Sequence, residues 1–238
     1  MVYAGILAAG MGTRMHRQDM PKQFLPLGEK PIIINTLEQF YVNPVIDKVI
    51  VVVPNEWKLF TDDLLSQYDA MGTEVKVITG GENKTESVKR IVEYLNENFE
   101  MNSDDILITH DAVRPFVTGR IINENIESAQ KYGIASTLMV TNDTMVVSED
   151  GDTIQSIPRK QTIFAEQTPL TFKVQELVQI FREADEAGVK IEKETELARL
   201  CINLGRTIHI VRGENQNMKI ITPYDLEVAN ALLREKKV

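Results

Sequence analysis

The stretch Val2-Tyr3-Ala4-Gly5-Ile6-Leu7-Ala8-Ala9-Gly10-Met11-Gly12-Thr13-Arg14-Met15 decides the fold. Val2 to Ala8 is an apolar, β-branched run that reads as a buried strand. The small residues that follow make a tight loop. In open α/β sheets, ligands bind beyond the carboxyl ends of strands, and small residues let backbone N–H groups close around an anion. The plain alternative is a strand-to-helix turn without a ligand. The dinucleotide fingerprint needs a third small residue where Met15 stands, and no Gly-Lys-Ser/Thr of a P-loop occurs.

Outward from this loop the chain alternates strands and helices. Strands are expected at Lys48–Val53, Glu74–Ile78, Asp105–Thr109, Ala135–Val140 and Thr207–Val211. Helices are expected at Pro31–Tyr41, Asn55–Tyr68 (with Asn55 as cap), Asn83–Asn98, Gly119–Tyr132, Lys173–Ala187, Glu194–Asn203 and Tyr224–Glu235. Val88, Ile91, Val92 and Leu95 recur at one-face helical spacing. Such alternation means βαβ units and a parallel sheet. Near Asp143–Gln167 the rhythm breaks. Thr144–Ser148 and Thr153–Ile157 read as a hairpin around Asp150-Gly151, and Ile163–Ala165 as a short strand. The expected architecture is α/β: one domain over 1–238, a single doubly wound, mostly parallel sheet with an inserted β-arm at about 143–167.

Composition narrows the classes. In 238 residues, 26 Lys+Arg face 35 Asp+Glu, a formal charge of −9. That balance argues against nucleic-acid partners and anionic membranes. The lone Cys201 leaves no disulfide framework and fits a cytoplasmic protein. No apolar run approaches a membrane span, and the N-terminal run lacks the basic region of a signal peptide.

Arg14 and Lys22 follow the loop, with Pro21 fixing the backbone before Lys22. A guanidinium fork and a mobile ammonium suit charge growing on a transferring phosphoryl group; the plain alternative is two solvated cations. Gly80-Gly81 lies between a strand and a helix, where backbone groups can meet a base edge and Ser87 can donate a hydrogen bond. His110-Asp111 ends a strand. Asp111 is a candidate for Mg²⁺ or for substrate hydroxyls, or simply a turn cap. Arg114 can neutralise it or grip a phosphate. His110 reads as structural, because His16 and His209 are isolated and no zinc pattern occurs.

Leu7–Met15 with Pro21-Lys22-Gln23 resembles the signature of nucleotidyltransferases that make activated sugar and alditol nucleotides. Gly80–Val88 (GGENKTESV) and His110–Pro115 (HDAVRP) resemble the cytidylyltransferase family of the methylerythritol-phosphate and ribitol-phosphate enzymes. Asp143-Thr144, Gln167-Thr168-Pro169 and Asn217-Met218-Lys219-Ile220 match later blocks in the same order. The resemblance covers essentially the whole chain and implies a Rossmann-like nucleotidyltransferase. CTP would be cradled by Leu7, Ala8, Ala9, Gly10, Gly12 and Thr13, with cytosine read by Gly81, Glu82 and Ser87. Arg14, Lys22 and Lys219 would be catalytic. Asp111, Arg114, Thr144, Thr168 and Glu194 would bind an alditol phosphate, with Mg²⁺ as cofactor. It also implies a homodimer whose arm lends a basic residue to the partner's acceptor site.

Two positions depart from the family pattern. Its arm arginine falls on Lys160, beside Arg159, and its Thr-Asp pair falls on Lys193-Glu194. HDAVRPF and TPYDLEVANALL look more like the ribitol branch, and Ala8-Ala9-Gly10 more like the methylerythritol branch. The expected acceptor is therefore ribitol 5-phosphate, giving CDP-ribitol for teichoic acid or capsule, with 2-C-methyl-D-erythritol 4-phosphate as the alternative. An inactive nucleotide-binding regulator is the reading from another class.

Overall fold

The computed structural model describes residues 1–10, 20–68, 75–193 and 196–235. Within them the elements run β1 (Val2–Leu7), β2 (Pro26–Leu27), β3 (Lys30–Pro31), α1 (Ile32–Tyr41), β4 (Lys48–Val53), α2 (Lys58–Tyr68) and β5 (Val75–Thr79). Then follow α3 (Lys84–Asn98), β6 (Ile106–Asp111), α4 (Gly119–Tyr132), β7 (Ile134–Val140), β8 (Phe164–Lys173), α5 (Val174–Glu186), α6 (Leu197–Asn203), β9 (His209–Arg212) and α7 (Pro223–Glu235).

Seven strands form one sheet in the order β5-β4-β1-β6-β8-β7-β9. β1 pairs in parallel with β4 and β6, β4 with β5, and β7 with β9. The antiparallel member is β8, between β6 and β7. β1 and β4 bury both faces, and alternate residues enter two separate cores. Ala4, Ile6, Val49, Val51 and Val53 join Leu37 and Phe40 of α1 and Ile122 of α4. Tyr3, Ile50 and Val52 join Ile91 and Leu95 of α3 and Leu177 and Ile180 of α5. That two-faced burial is why KVIVVV reads as an unbroken apolar run. Each buried Leu or Ile contributes roughly 1.5–3 kcal/mol.

Three expectations change. Ile163–Ala165, expected to be a short strand, leads into the ten-residue strand β8, which runs on through Pro169 to Lys173. Proline is accommodated because the β7–β8 register shifts between Ser136 and Leu138. The hairpin at 144–157 is reduced to one antiparallel bridge, Val147 with Ser156, since two bare strands have no buried face to hold them. Asn55 does not cap α2. It opens a short 3₁₀ turn, and its side chain accepts a hydrogen bond from Thr79.

β6 runs past Thr109 to Asp111, so His110 and Asp111 end the strand as their place in the sequence implied. A third cluster, Leu25, Leu27, Ile32, Val113, Phe116, Ile220 and Ala229, packs α7 and β2 beneath the carboxyl end of the sheet. No described helix is long and apolar enough to cross a membrane.

Candidate active site

A cleft of about 190 Å³ opens at the carboxyl ends of β1, β5 and β6. Leu7–Gly10, Lys22, Gly81, Lys84, Asp111 and Lys219 line it, among others. Each arrives there for a local reason. The Ala8 N–H donates to Val52 O (2.8 Å) and the Ala112 N–H to Leu7 O (3.0 Å), so β1 enters the loop already fixed by both neighbouring strands. Lys22 opens a 3₁₀ turn capped by Pro21. Its neighbours are anchored. Gln23 is buried and donates to Ala8 O (2.5 Å), while Phe24 stacks on Trp57 and meets Phe60 edge-on. The anchored turn thus places Lys22 on the wall of the cleft.

On the far wall, Gly80 approaches β4 and the loop after β1 so closely that a Cβ there would lie 2.7 Å from Ala9 Cβ and 3.0 Å from Val52 Cγ1. Only glycine fits. Asn83 caps α3 by accepting the Glu86 N–H (2.8 Å), and Glu86 reaches back to accept the Glu82 N–H (2.8 Å). Ser87 is buried. It accepts the Gly81 N–H (3.1 Å) and donates its own hydrogen to Asn83 O (2.8 Å). Ser87 thus lines the cleft but spends its hydrogen on shaping the glycine turn.

The floor is Asp111. Its carboxylate meets Lys84 Nζ at 3.4 Å, Arg114 Nε at 3.2 Å and Lys219 Nζ at 3.1 Å. Burial alone would raise its pKa, but the three cations hold it well below the usual carboxylate range. Beneath it, the Asp111 N–H donates to Thr168 Oγ1 (3.1 Å), and Thr168 Oγ1 sits 3.0 Å from His110 Nδ1. His110 Nε2 lies 3.1 Å from Arg114 O, which only accepts. Nε2 therefore carries the imidazole hydrogen and Nδ1 takes the threonine's. Burial lowers the His110 pKa to about 4 and keeps the ring neutral.

Arg114 Nη1 donates to Asn217 O (2.8 Å), and Asn217 Nδ2 donates to Thr168 O (2.8 Å) and Gln167 Oε1 (3.1 Å). The loop carrying Lys219 is further held by Gln167 Nε2 on Glu214 O (2.9 Å) and by Arg120 on the Glu214 carboxylate (2.8 Å).

Of the expected site residues, the structure brings together Leu7, Ala8, Ala9, Gly10, Lys22, Gly81, Glu82, Ser87, Asp111 and Lys219, with Arg114 paired beneath. Gly12, Thr13, Arg14 and Glu194 lie outside the described residues. Thr168 stands under Asp111 with its hydroxyl engaged rather than beside the arm as a donor to substrate. Thr144, Arg159 and Lys160 are exposed on the arm, and Lys160 donates to Asn142 O (2.6 Å). Sequence reasoning missed Lys84, Gln167 and Asn217 as functional side chains. Lys84 was hidden inside a block read for its glycines, although position one of a helix beside a ligand turn is itself a signal.

Asp111 does not fit the metal role expected of it. Both oxygens are already paired with cations, and no group of three His, Cys, Asp or Glu that could hold a metal occurs among the described residues. A divalent ion there would stand among three positive charges with one carboxylate to hold it.

A family model described as IspD, 2-C-methyl-D-erythritol 4-phosphate cytidylyltransferase, matches residues 2–235. The chain belongs to the IspD family. Solved structures agree with the match. The 2-C-methyl-D-erythritol 4-phosphate cytidylyltransferase of Francisella tularensis is 27% identical (TM-score 0.77), covering 97% of this chain and 98% of that one. The enzyme of the same description from Thermus thermophilus is 26% identical (TM-score 0.75), covering 98% and 100%. A 4-diphosphocytidyl-2C-methyl-D-erythritol synthase from Anaerococcus prevotii shares the fold at 24% identity (TM-score 0.80), covering 98% and 96%. This IspD-family chain is a cytidylyltransferase with an α/β nucleotidyltransferase-like fold. None of these descriptions names ribitol, the acceptor expected from the sequence.

Proposed function

We propose that this cleft transfers CMP from CTP to 2-C-methyl-D-erythritol 4-phosphate. The match to the family model along 2–235 carries that reading of the acceptor. The convergence of Lys22, Lys84 and Lys219 on one cleft, with Arg114 paired to Asp111 beneath them, supports phosphoryl chemistry there.

A phosphate oxygen of the acceptor attacks the α-phosphorus of CTP in line, and the bond to pyrophosphate breaks. The acceptor phosphate is already ionised at neutral pH, so no enzyme nucleophile is required. The backbone of Leu7–Gly10 cradles the triphosphate. Lys22, with Arg14, stabilises charge that builds in the transition state. The amide donors of Gly81 and Glu82 are spent inside the protein, so this turn meets a base through carbonyl oxygens. Such acceptors suit the exocyclic amine of cytosine and not the carbonyl of uracil. Lys219 and Arg114 take the acceptor phosphate, and Asp111 its hydroxyls. The Mg²⁺ that the resemblance implies would not be held by Asp111, whose oxygens are paired with Lys84, Arg114 and Lys219, and no step here depends on it.

The arm is proposed to pair two copies. Met145, Val146, Val147, Ile154 and Ile157 are all exposed on it, and Arg159 or Lys160 would reach the other copy's acceptor. Ribitol 5-phosphate is the second reading, favoured by HDAVRPF and TPYDLEVANALL. Pyrophosphate release from CTP with each of the two acceptors decides between them. Release with the methylerythritol phosphate supports the first reading, and release with ribitol 5-phosphate alone replaces it with the second. CTP binding without release for either acceptor would make the chain a nucleotide-binding regulator.

A further inference from the structure

Asp111 is where three separate parts of the chain deliver positive charge. Lys84 comes from the first turn of α3, Arg114 from the turn after β6, and Lys219 from the loop between β9 and α7. The Asp111 side chain is 8% exposed, whereas those of Lys84 and Lys219 are 31% and 36% exposed. The carboxylate is therefore the floor, and the two ammonium groups stand above it, open to the cleft. All three cations pair with the same carboxylate, which offsets their mutual repulsion. Like charges this close repel, and cations drawn out of water without a partner are costly. The anion is held firmly in turn, because its backbone N–H is tied to Thr168 and Thr168 to the neutral His110.

These cations are those a phosphate group would need. A cleft that gathers them without a counter-charge would also hold any small phosphate it met, with no nucleoside attached.

We propose that Asp111 is a built-in counter-ion that occupies Lys84, Arg114 and Lys219 in the empty enzyme and keeps the cleft from retaining free phosphate. A true substrate brings a base for the Gly81 turn and polyol hydroxyls for Asp111 itself. Those contacts supply the binding that lets its phosphates share the cations with Asp111. Inorganic phosphate has no such contacts and competes with the carboxylate alone. The inference rests on cytidylyl transfer in this cleft but not on the identity of the acceptor. It also makes Lys84 part of the specificity machinery.

The test is calorimetric titration of the full chain with inorganic phosphate at low ionic strength. Asp111→Asn removes the charge and keeps the shape, and should bind phosphate about tenfold more tightly than the unaltered protein. Asp111→Glu keeps the charge and should bind as weakly as the original. Should Asp111→Asn not fold, the comparison moves to Lys84→Met against Asp111→Asn/Lys84→Met, which preserves the local charge balance. The same gain is expected between those two. Phosphate binding that is unchanged or weaker on loss of the carboxylate, in whichever pair is measured, overturns the proposal. Failure of both acceptors to release pyrophosphate would not affect this result, so the two readings fail separately.

Discussion

Asn217 and Asp150 are both polar side chains with several hydrogen bonds, and they are held in opposite ways. Asn217 is buried and its partners, Gln167 and Thr168, lie 50 and 49 positions away. Asp150 is exposed, and its carboxylate accepts from Ser148, Asp152 and Thr153, all within three residues. The first arrangement exists only when β8, the turn after β6 and the loop after β9 are all in place. The second forms from a short piece of chain by itself. Around the cleft, function and global fold therefore share one network. The arm's contacts here are local, whereas those of the cleft span the sheet.

The largest expected effect falls on the cleft and spares the fold. Lys22 stands on an anchored turn, so Lys22→Ala should remove the charge without moving its neighbours. Turnover is expected to fall by about 10²- to 10³-fold with little change in the KM for CTP. A raised KM at unchanged kcat would mean that Lys22 binds the ground state, and the contrast between a wired site and a self-contained arm would lose its catalytic half.

The next prediction concerns His110. The folded ring takes a proton only near pH 4, and the unfolded one near 6.5. Between those values the unfolded chain holds the extra proton. The stability supplied by the neutral ring is thus complete above about pH 6.5 and declines as pH falls toward 4. The decline amounts to about 3 kcal/mol. Urea unfolding across that range should show it, and His110→Gln should flatten that part of the profile. A smaller loss, about 2 kcal/mol, is expected for Asn217→Ala, which strands Gln167 Oε1 and Thr168 O in the interior. Activity should fall alongside stability, because Arg114 and Lys219 depend on the same loop.

The arm should give the smallest effect on the folded subunit. Val147→Asp with Ile154→Asp alters residues that are 43% and 64% exposed. Thermal stability of the subunit should shift within about 0.5 kcal/mol, while light scattering should report loss of the proposed dimer. A large loss of subunit stability would show that the arm is wired into the fold after all.

The same contrast explains what could be read from the sequence. β1 and β4 were legible because burial on both faces leaves an apolar run that only a covered strand tolerates. That Lys22, Asp111 and Lys219 share one cleft was legible only through the blocks that carry the family resemblance, since each alone reads as a solvated charge or a turn cap. Of β8 only the start at Ile163–Ala165 was legible, since a proline inside a run argues locally against a strand and the register shift opposite Ser136–Leu138 that accommodates Pro169 is a property of the assembled sheet. The hydrogen bonds of Thr168 and the side-chain role of Asn217 were hidden for a related reason. Their partners are set by how β8, the turn after β6 and the loop after β9 come together, which no local pattern encodes. The ribitol reading came from short blocks such as HDAVRPF, which describe the scaffold under Asp111 more than the ligand above it.

The most direct test of the account is pyrophosphate release from CTP, UTP, ATP and GTP in turn, each with the acceptor that supports turnover. A cleft whose glycine turn presents carbonyl oxygens to the base should use CTP and leave UTP at least about a hundredfold behind in kcat/KM. Equal use of UTP, or release from a purine nucleotide in preference to CTP, would contradict the reading of this cleft as a cytidylyl-transfer site.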